Sequence, residues 1–185
     1  VSSPAMTDAP TLIARLHAVV PGASIEAGPA ADQPTLYVPA GDLVAVARAL
    51  RDDLGFVYLA DLAGVDFWPA EPRFEMVYHL AALDPPSRLR LKVRVPGGAP
   101  NVPSLTPLWP SADWLEREVW DLIGITFDGH GDLRRLLMPE DWEGHPLRKD
   151  HPVQINLPAR TSEPLQLTEA EFRASIERDR QSRDG

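Results

Sequence analysis

Proline is the feature of this sequence that most limits how it can fold. There are 20 prolines in 185 residues, and the usual share is only roughly 5%. Because proline breaks helix interiors and central strands, regular structure is expected in the longer stretches that lack it. Five such stretches stand out: 40–68, 73–84, 87–95, 111–138 and 165–185.

Three helices are predicted from capping residues and from apolar side chains that recur every three or four positions. Asp8, Asp42 and Ser111 are the expected N-caps, because their side-chain oxygens can accept hydrogen bonds from the free amides of a first turn. Glycine commonly ends a helix, so Gly55 and Gly124 are the expected stops of the second and third. The predicted spans are Asp8–Val20, Asp42–Leu54 and Ser111–Gly124.

Five strands are predicted between these helices. Phe56–Phe67 is apolar at both odd and even positions, which indicates a central strand covered on at least one side. In Arg88–Val95 apolar and basic residues alternate, and the short link Asp84–Ser87 favours an antiparallel hairpin with the preceding strand. The predicted strands are Ser24–Ala27, Thr35–Val38, Phe56–Phe67, Arg73–Leu83 and Arg88–Val95.

The order of these elements is helix, two strands, helix, three strands and helix. It predicts one α+β domain of two layers, a mixed sheet with helices on one face. Residues 96–110, rich in proline and glycine, are expected to form a rigid connection, and a charged loop follows the third helix. Beyond Pro152 the composition is polar, and Thr168 with Glu171 forms a capping box that predicts a short helix in an extended C-terminal segment.

Charge and cysteine content exclude several classes of protein. The chain carries 27 acidic and 18 basic residues, a net charge of −9, which argues against a nucleic-acid binder because such proteins need a basic surface. It has no cysteine, which rules out disulfides, thiolate zinc sites and cysteine-bound iron–sulfur clusters in this chain. No apolar run approaches the roughly 18 residues of a membrane span, and no signal peptide is recognisable, so a cytoplasmic protein is expected.

A metal site is one hypothesis for the loop after the third helix, where His130, Asp132, His145 and His151 are concentrated. A free-standing metal-dependent enzyme would use these histidines. The alternative is that they are surface or hydrogen-bonded residues, because no pair has the helical spacing of a zinc motif such as HExxH. Motifs of nucleophilic hydrolases and of nucleotide-binding loops are absent from the sequence.

The third helix carries a cluster of charges beside two tryptophans, Trp114 and Trp120. A solvated helix face with weak ion pairs is the ordinary interpretation. The alternative is a partly buried ionic network that fixes the helix against a loop or a neighbouring subunit, because the tryptophans would desolvate the charges. In that network Arg117 would pair with Asp121, four residues further on. Glu118 would be free to meet one of three loop arginines, Arg134, Arg135 and Arg148.

A row of basic residues lies on the outward face of the last predicted strand: Arg88, Arg90, Lys92 and Arg94. Such a row usually marks a solvated sheet face or an edge that is protected against pairing with another strand. In an acidic protein it could also be a docking strip for an acidic partner.

The most specific motifs lie in Leu115–Val153, which has the sequence LEREVWDLIGITFDGHGDLRRLLMPEDWEGHPLRKDHPV. This run resembles the signature region of the 30-kilodalton subunit, also called the C subunit, of respiratory complex I, the proton-pumping NADH:quinone oxidoreductase or NDH-1. The similarity is continuous over about 103–153 and extends more loosely back to DLAGVDF at 61–67. It suggests a 30-kilodalton-subunit domain over 1–153, followed by a polar tail with a short helix over 154–185.

The resemblance implies a two-layer domain with a five-stranded mixed sheet. It implies a non-catalytic structural and assembly subunit of the hydrophilic arm, which belongs to an oxidoreductase and translocase but has no active site of its own. FMN, iron–sulfur clusters, NADH and quinone would be bound by other subunits. The expected partners are chiefly the D subunit and also the B and I subunits, with no nucleic acid. The expected location is the cytoplasmic side of the cell membrane, peripheral and held there through the complex.

Candidate interface and network residues are the charged and histidine side chains of the third helix and its loop. No catalytic, cofactor-binding or metal residue is assigned among them. One alternative is a homologous subunit of a related assembly, such as a group 4 membrane-bound hydrogenase or a ferredoxin- or coenzyme-linked dehydrogenase. Another is an adaptor domain with no redox partner. The candidate residues are Glu116, Arg117, Glu118, Asp121, His130, Arg134, Arg135, His145, Arg148, Lys149 and Asp150.

Overall fold

The computed structural model describes residues 8–29 and 32–152, and the single residue 173. Three α-helices and seven strands lie within this described part of the chain. In chain order they are α1 (Ala9–Val19), β1 (Glu26–Ala27), β2 (Thr35–Tyr37), α2 (Leu43–Asp52), β3 (Tyr58–Asp66), β4 (Phe74–Leu83), β5 (Pro86–Val95), β6 (Asn101–Pro103), α3 (Ala112–Ile123) and β7 (Thr126–Asp128).

Five of the strands form one mixed sheet, in the order β1-β2-β5-β4-β3. Strands β2 and β5 are parallel, and the other neighbours are antiparallel. The predicted hairpin is confirmed, because Leu83 at the end of β4 pairs with Pro86 at the start of β5. Strands β6 and β7 form a separate parallel pair. The predicted fold class, a five-stranded mixed sheet with helices on one face, is confirmed.

The core lies between the sheet and the helices. Strand β4 contributes Phe74, Met76, Tyr78 and Leu80, which are at most 2% exposed. Alternate residues of β5 are equally buried, as their spacing predicts, whereas the basic residues between them point to the other face. The β5 core residues are Leu89, Leu91, Val93 and Val95.

Helix α3 approaches β3 closely where the strand has a glycine. A Cβ atom at Gly64 would lie 2.9 Å from Ile123 Cδ1 and 3.0 Å from Val119 Cγ1. The missing side chain therefore makes room for the apolar face of α3. This contact fixes the carboxyl end of α3, to which the charged loop is bonded.

The position of β3 differs from the prediction of a central strand, because β3 is at the edge of the sheet. Its pairing with β4 shifts between Leu59 and Asp61, where one extra residue interrupts the ladder. A one-residue shift moves the following side chains to the opposite face. Leu59 and Leu62 therefore both reach the core, at 2% and 4% exposure, although one is odd and the other even.

All three predicted N-cap residues directly precede their helices, but only Asp8 makes a capping hydrogen bond. The Asp8 carboxylate accepts a hydrogen bond from the Thr11 amide at 3.0 Å, as predicted. The Asp42 carboxylate instead accepts from the amide of Ser24 at 2.9 Å, which ties α2 to the segment before β1. Ser111 already has helical backbone angles, and its side chain makes no capping hydrogen bond.

The stretch 96–110, predicted as a rigid connection, contains the short strand β6. Chain contacts divide the protein into two units, Val1–His151 and Pro152–Gly185. The predicted tail helix around Thr168 and Glu171 lies outside the described residues. None of the described helices is long and apolar enough to cross a membrane.

Candidate functional site

Helix α3 buries three ionisable side chains. Glu116 and Asp121 are 0% exposed and Arg117 is 6% exposed. A charge removed from water needs hydrogen bonds or an opposite charge close by, because its loss of hydration is otherwise not offset. The partners of these three residues come from the loop that follows β7 and from the segment that precedes α3.

Asp121 holds the start of the loop through both carboxylate oxygens. Oδ1 accepts a hydrogen bond from Arg135 Nη1 at 2.8 Å. Oδ2 accepts from three successive backbone amides, those of Leu136, Leu137 and Met138, at 3.0, 2.7 and 2.9 Å. Burial raises the pKa of Asp121, but these hydrogen bonds outweigh it and lower the pKa to about 2. Asp121 therefore remains a carboxylate at neutral pH.

Two arginines extend the network across the loop. Arg135 donates to the carbonyl oxygens of Trp142 at 2.6 Å and Gly144 at 3.1 Å, so it joins α3 to the far side of the loop. Arg117 donates to the carbonyl oxygens of Arg134 at 3.3 Å and Arg135 at 3.2 Å. The loop backbone is thus bonded to α3 at several separate points.

The carboxyl end of α3 is completed by the same loop. The last four carbonyl groups of a helix have no partner inside the helix, and their partial negative charge favours cations. Here the Trp120 carbonyl accepts from the Gly124 amide at 2.8 Å, and the Leu122 carbonyl from the Leu147 amide at 2.9 Å. The other two carbonyls accept from loop side chains, Asp121 from Arg135 and His145, and Ile123 from Arg148.

Gly124 allows this arrangement in two ways. Its φ of +82° lies in the left-handed region, where glycine is favoured, and this confirms the predicted stop of the helix. A Cβ atom there would overlap the His145 ring and would lie 2.6 Å from Arg148 Nη2. A side chain at this position would displace both loop residues from the helix end.

Glu116 faces the other way and binds the segment before α3. Its carboxylate accepts from the Ser104 hydroxyl at 2.6 Å and from the Leu105 amide at 2.7 Å. Burial raises the pKa of Glu116, and the two hydrogen bonds only partly oppose this effect. The helix is therefore held at Glu116 by the chain that leads into it and at Asp121 by the chain that leaves it.

A second ionic cluster holds the end of the loop to the sheet. The Arg73 guanidinium, 6% exposed, binds both carboxylate oxygens of Asp66 at 2.8–2.9 Å. It also binds both oxygens of Asp150 at 2.6–2.9 Å. Asp66 accepts in addition from the Lys149 amide at 2.9 Å. Bonding to Arg73 lowers the pKa of Asp66 and, more weakly, that of Asp150.

The outer surface of the loop combines apolar and charged side chains. Leu137 is 61% exposed and Leu147 is 59% exposed, although the backbone amides of both are bonded to α3. The charged residues around them, among them Glu118, Arg134 and Lys149, are also exposed. A loop whose backbone is fixed thus presents two leucines to the outside.

The predicted pairing of Arg117 with Asp121 is wrong, since Asp121 pairs with Arg135 and Arg117 binds carbonyl oxygens. Glu118 points outward and has no ion-pair partner among the described residues. Arg134 pairs with Asp132 at 2.9 Å, both exposed. The sequence did not identify Asp66 and Arg73 as site residues. Their opposite charges, at the end of β3 and just before β4, could have suggested that they pair.

The loop histidines bind protein groups. His130 approaches Asp113 at 3.1 Å and accepts from the Asp132 amide, and His145 lies edge-on to Trp120. His151 stacks on Trp142, with 6.4 Å between ring centroids. Within residues 8–29 and 32–152, no three histidine, aspartate or glutamate residues come together as metal ligands would.

Comparisons with known proteins identify the family. The model of the respiratory-chain NADH dehydrogenase 30 Kd subunit matches residues 36–156. The C subunit of the NADH-quinone oxidoreductase of Roseiflexus sp. (strain RS-1) is 51% identical over 148 residues, 79% of this chain and 85% of the relative. That of Moorella thermoacetica is 46% identical over 142 residues, 77% of this chain and 94% of the relative.

Two solved structures have a similar fold. The trypsin-resistant fragment 1–134 of Nqo5 has a TM-score of 0.53 and 36% identity, over 66% of this chain and 96% of the fragment. A chain of the membrane-bound sulfane sulfur reductase, an archaeal respiratory membrane complex, has a TM-score of 0.64 and 25% identity, over 75% of this chain and 82% of that one. The chain therefore belongs to the family of the 30 Kd subunit of respiratory-chain NADH dehydrogenase.

Proposed function

We propose that this chain is a non-catalytic structural and assembly subunit of a proton-pumping NADH:quinone oxidoreductase, in which it braces the quinone-reducing module of the hydrophilic arm. The loop that Asp121 and Arg135 hold against α3 is the observation that carries the proposal. The curated relatives described above support it, since each is named as the C subunit of an NADH-quinone oxidoreductase.

A loop with a fixed backbone is suited to docking. Binding costs free energy for every segment that must be ordered, so a segment ordered in advance binds more tightly. Asp121 binds the loop near its start, at Arg135 and Met138. Arg148 binds the carboxyl end of α3 from near the end of the loop. Leu137 and Leu147 then supply exposed apolar side chains on a loop that also exposes charged residues such as Arg134 and Lys149, and interfaces contain both kinds of side chain.

The partners that we propose are other members of the complex, chiefly the D subunit and also the B and I subunits. FMN, the iron–sulfur clusters and the quinone would be bound by those and other subunits. The absence of cysteine supports this division, because iron–sulfur clusters are held by cysteine thiolates. Through these partners the chain would be peripheral, on the cytoplasmic side of the membrane.

A second candidate is the homologous subunit of a related membrane-bound complex, such as a group 4 hydrogenase or a ferredoxin- or coenzyme-linked dehydrogenase. The structural similarity to a chain of the membrane-bound sulfane sulfur reductase supports this second candidate. The two candidates share the loop that follows β7, residues 129–151, which we call the docking loop, and they differ in the enzyme to which the chain belongs.

Affinity purification of the tagged chain from native membranes tests the proposal. Mass spectrometry of the co-purified chains should identify the B, D and I subunits, and the sample should oxidise NADH with a quinone. Co-purification of hydrogenase or other dehydrogenase subunits would instead support the second candidate. Recovery of the chain alone, with stoichiometric bound metal, would contradict both and favour a free-standing metal enzyme.

A further inference from the structure

The face of the sheet that is turned away from the helices carries the four basic residues of β5, which we call the outer strip: Arg88, Arg90, Lys92 and Arg94. Strand β5 lies between β2 and β4. The outer strip is therefore inside the sheet, and the interpretation that it protects a sheet edge is wrong. Only a molecule that packs against the face of the sheet can contact the outer strip.

The two central cations of the outer strip already have partners. Arg90 binds the Asp32 carboxylate at 3.1 Å, and Lys92 binds Glu75 at 2.7 Å. The side chains of the two outer cations, Arg88 and Arg94, form no hydrogen bond or ion pair with any other residue of the described ranges 8–29 and 32–152. The outer strip thus has, at each end, one guanidinium group without an ion-pair partner in these ranges.

Each of these two guanidinium groups lies in a concave part of the surface. Arg94 stacks over Tyr37 at 4.4 Å and lines a cavity of about 250 Å³ with Ser24 and Glu26. Arg88 lines two neighbouring cavities at the other end, of about 470 and 590 Å³. Asp61 also lines the cavity of about 590 Å³, but its carboxylate does not pair with Arg88.

Between the two ends the charged side chains are paired with one another, Arg90 with Asp32 and Lys92 with Glu75. Val77 of β4 points to this face yet is only 7% exposed, and it is paired with Ala63 of β3 and Lys92 of β5. The Lys92 charge is neutralised by Glu75. A neutral centre with unpaired cations at its margins has the composition of a protein interface rather than that of a uniformly solvated face.

We propose that the outer strip binds an extended acidic segment of another polypeptide, which places a carboxylate on Arg88 and another on Arg94 and lays small uncharged side chains across the paired residues between them. The two arginines are six positions apart, so the two anchors are on the order of 20 Å apart along the strand. Arginine matches a carboxylate through two parallel hydrogen bonds, which favours carboxylates as the anchors. The site is on the opposite face from the docking loop and does not depend on the proposed function.

A labelled octapeptide with two glutamates at each end and alternating threonine and valine between them is the probe, because eight extended residues cover roughly 25 Å. Fluorescence anisotropy with the full chain should show saturable binding of this peptide and not of its glutamine counterpart. Arg88→Glu with Arg94→Glu should weaken binding about tenfold or more, because two charge-assisted contacts become repulsive. Arg88→Gln with Arg94→Gln repeats the test with smaller changes.

The matched control is Arg15→Glu with Arg48→Glu, which changes the net charge equally at two exposed positions of α1 and α2. Its affinity for the peptide should stay within twofold of the wild type. Failure of the wild type to bind, or equal weakening in both double variants, would overturn the proposal. Single-stranded octathymidylate is tested as a second ligand. If the Arg88 and Arg94 variants lose binding to octathymidylate but keep their binding to the peptide, the proposal is overturned, because the outer strip would then be a nucleic-acid site.

Discussion

At the scale of single residues, the main feature is a carboxylate that is fully buried and still charged. Asp121 keeps its charge because Arg135 and three backbone amides donate to it at 2.7–3.0 Å. The free energy lost by dehydration is thus offset locally, and the same bonds fix residues 135–138 against α3. Removal of the charge should release the loop as well as weaken the helix.

Asp121→Asn should lower the free energy of unfolding by about 3 kcal/mol, because it leaves the Arg135 guanidinium without its opposite charge in a buried site. Urea denaturation of the full chain measures the effect. Glu118→Gln is the matched control, since it removes one negative charge from an exposed position of the same helix. It should change the stability by less than about 0.5 kcal/mol. Equal effects of the two substitutions would contradict the assigned network.

The stability that Asp121 supplies should depend on pH in one direction. Its pKa falls from 3.8 to about 2 on folding, so its contribution is present above about pH 4 and is lost as the pH falls through 2. The difference in unfolding free energy between wild type and Asp121→Asn should therefore shrink between pH 5 and pH 2. Denaturation curves at several pH values measure it, and a difference that stays constant over this range would contradict the bonding described for Asp121.

Sequence reasoning identified the charges of α3 as a candidate network but assigned the wrong pair. Arg117 and Asp121 are neighbours on the helix surface, which made their pairing plausible. The structure gives Asp121 four donors from the loop after β7, and the first of them, Arg135, lies 14 residues further along the chain. Such partners are fixed by the path of the loop, and neither spacing nor propensity encodes that path.

At the scale of elements, the position of α3 depends on its packing against β3. The glycine at 64 allows the Val119 and Ile123 side chains to approach the strand backbone. The buried Glu116 and Asp121 then accept hydrogen bonds from the segments on either side of α3. Glu116 binds the segment before the helix at Leu105, and Asp121 binds the loop after β7 at Leu136. The glycine and the two carboxylates together set how the loop is presented.

Gly64→Val should destabilise the chain by about 1–3 kcal/mol, because the added side chain would overlap Ile123 and Val119 in a packed core. Ala63→Val is the control on the neighbouring residue, half-buried on the opposite face of the same strand. Thermal unfolding of both variants compares them. A larger loss of stability in the Ala63 variant would show that α3 does not pack on the face of Gly64.

Regular elements were predictable where one pattern dominated. The alternation in Arg88–Val95 gave both faces of β5 correctly, because every second side chain enters the core. Strand β3 was placed wrongly, since the bulge at Leu59–Asp61 makes both parities apolar without burying the strand on both sides. Asp42 stands at the N-cap position of α2 as predicted. It makes no capping hydrogen bond, because its carboxylate binds the Ser24 amide, which is remote in sequence.

At the scale of the whole molecule, one surface is built from residues that are far apart in sequence. Asp66 and Arg73 bind the loop through Lys149 and Asp150, roughly eighty positions later, and α3 binds it through Asp121. The motifs of the family could be recognised in the sequence, but the shape of the loop could not, because it has no periodicity. Leu137 and Leu147 became candidates for docking only once their exposure was known.

Leu137→Glu and Leu147→Glu should each reduce the amount of assembled complex, because a charge would replace an apolar contact that we assign to the interface. A loss of about 2 kcal/mol, typical of a central interface residue, corresponds to roughly thirtyfold in affinity. Val19→Glu is the control, since it makes a similar change at an exposed residue of α1. All three isolated chains should keep the melting temperature of the wild type.

The measurement that tests the central claim is the abundance of the complex on native gels, taken together with NADH:quinone turnover per bound flavin, in membranes that carry each variant. For Leu137→Glu and Leu147→Glu we predict reduced abundance with turnover per flavin close to that of the wild type, and for Val19→Glu we predict no change in either. Normal abundance with a collapse of turnover per flavin in the two loop variants would show a direct catalytic role and contradict the structural role proposed for this chain.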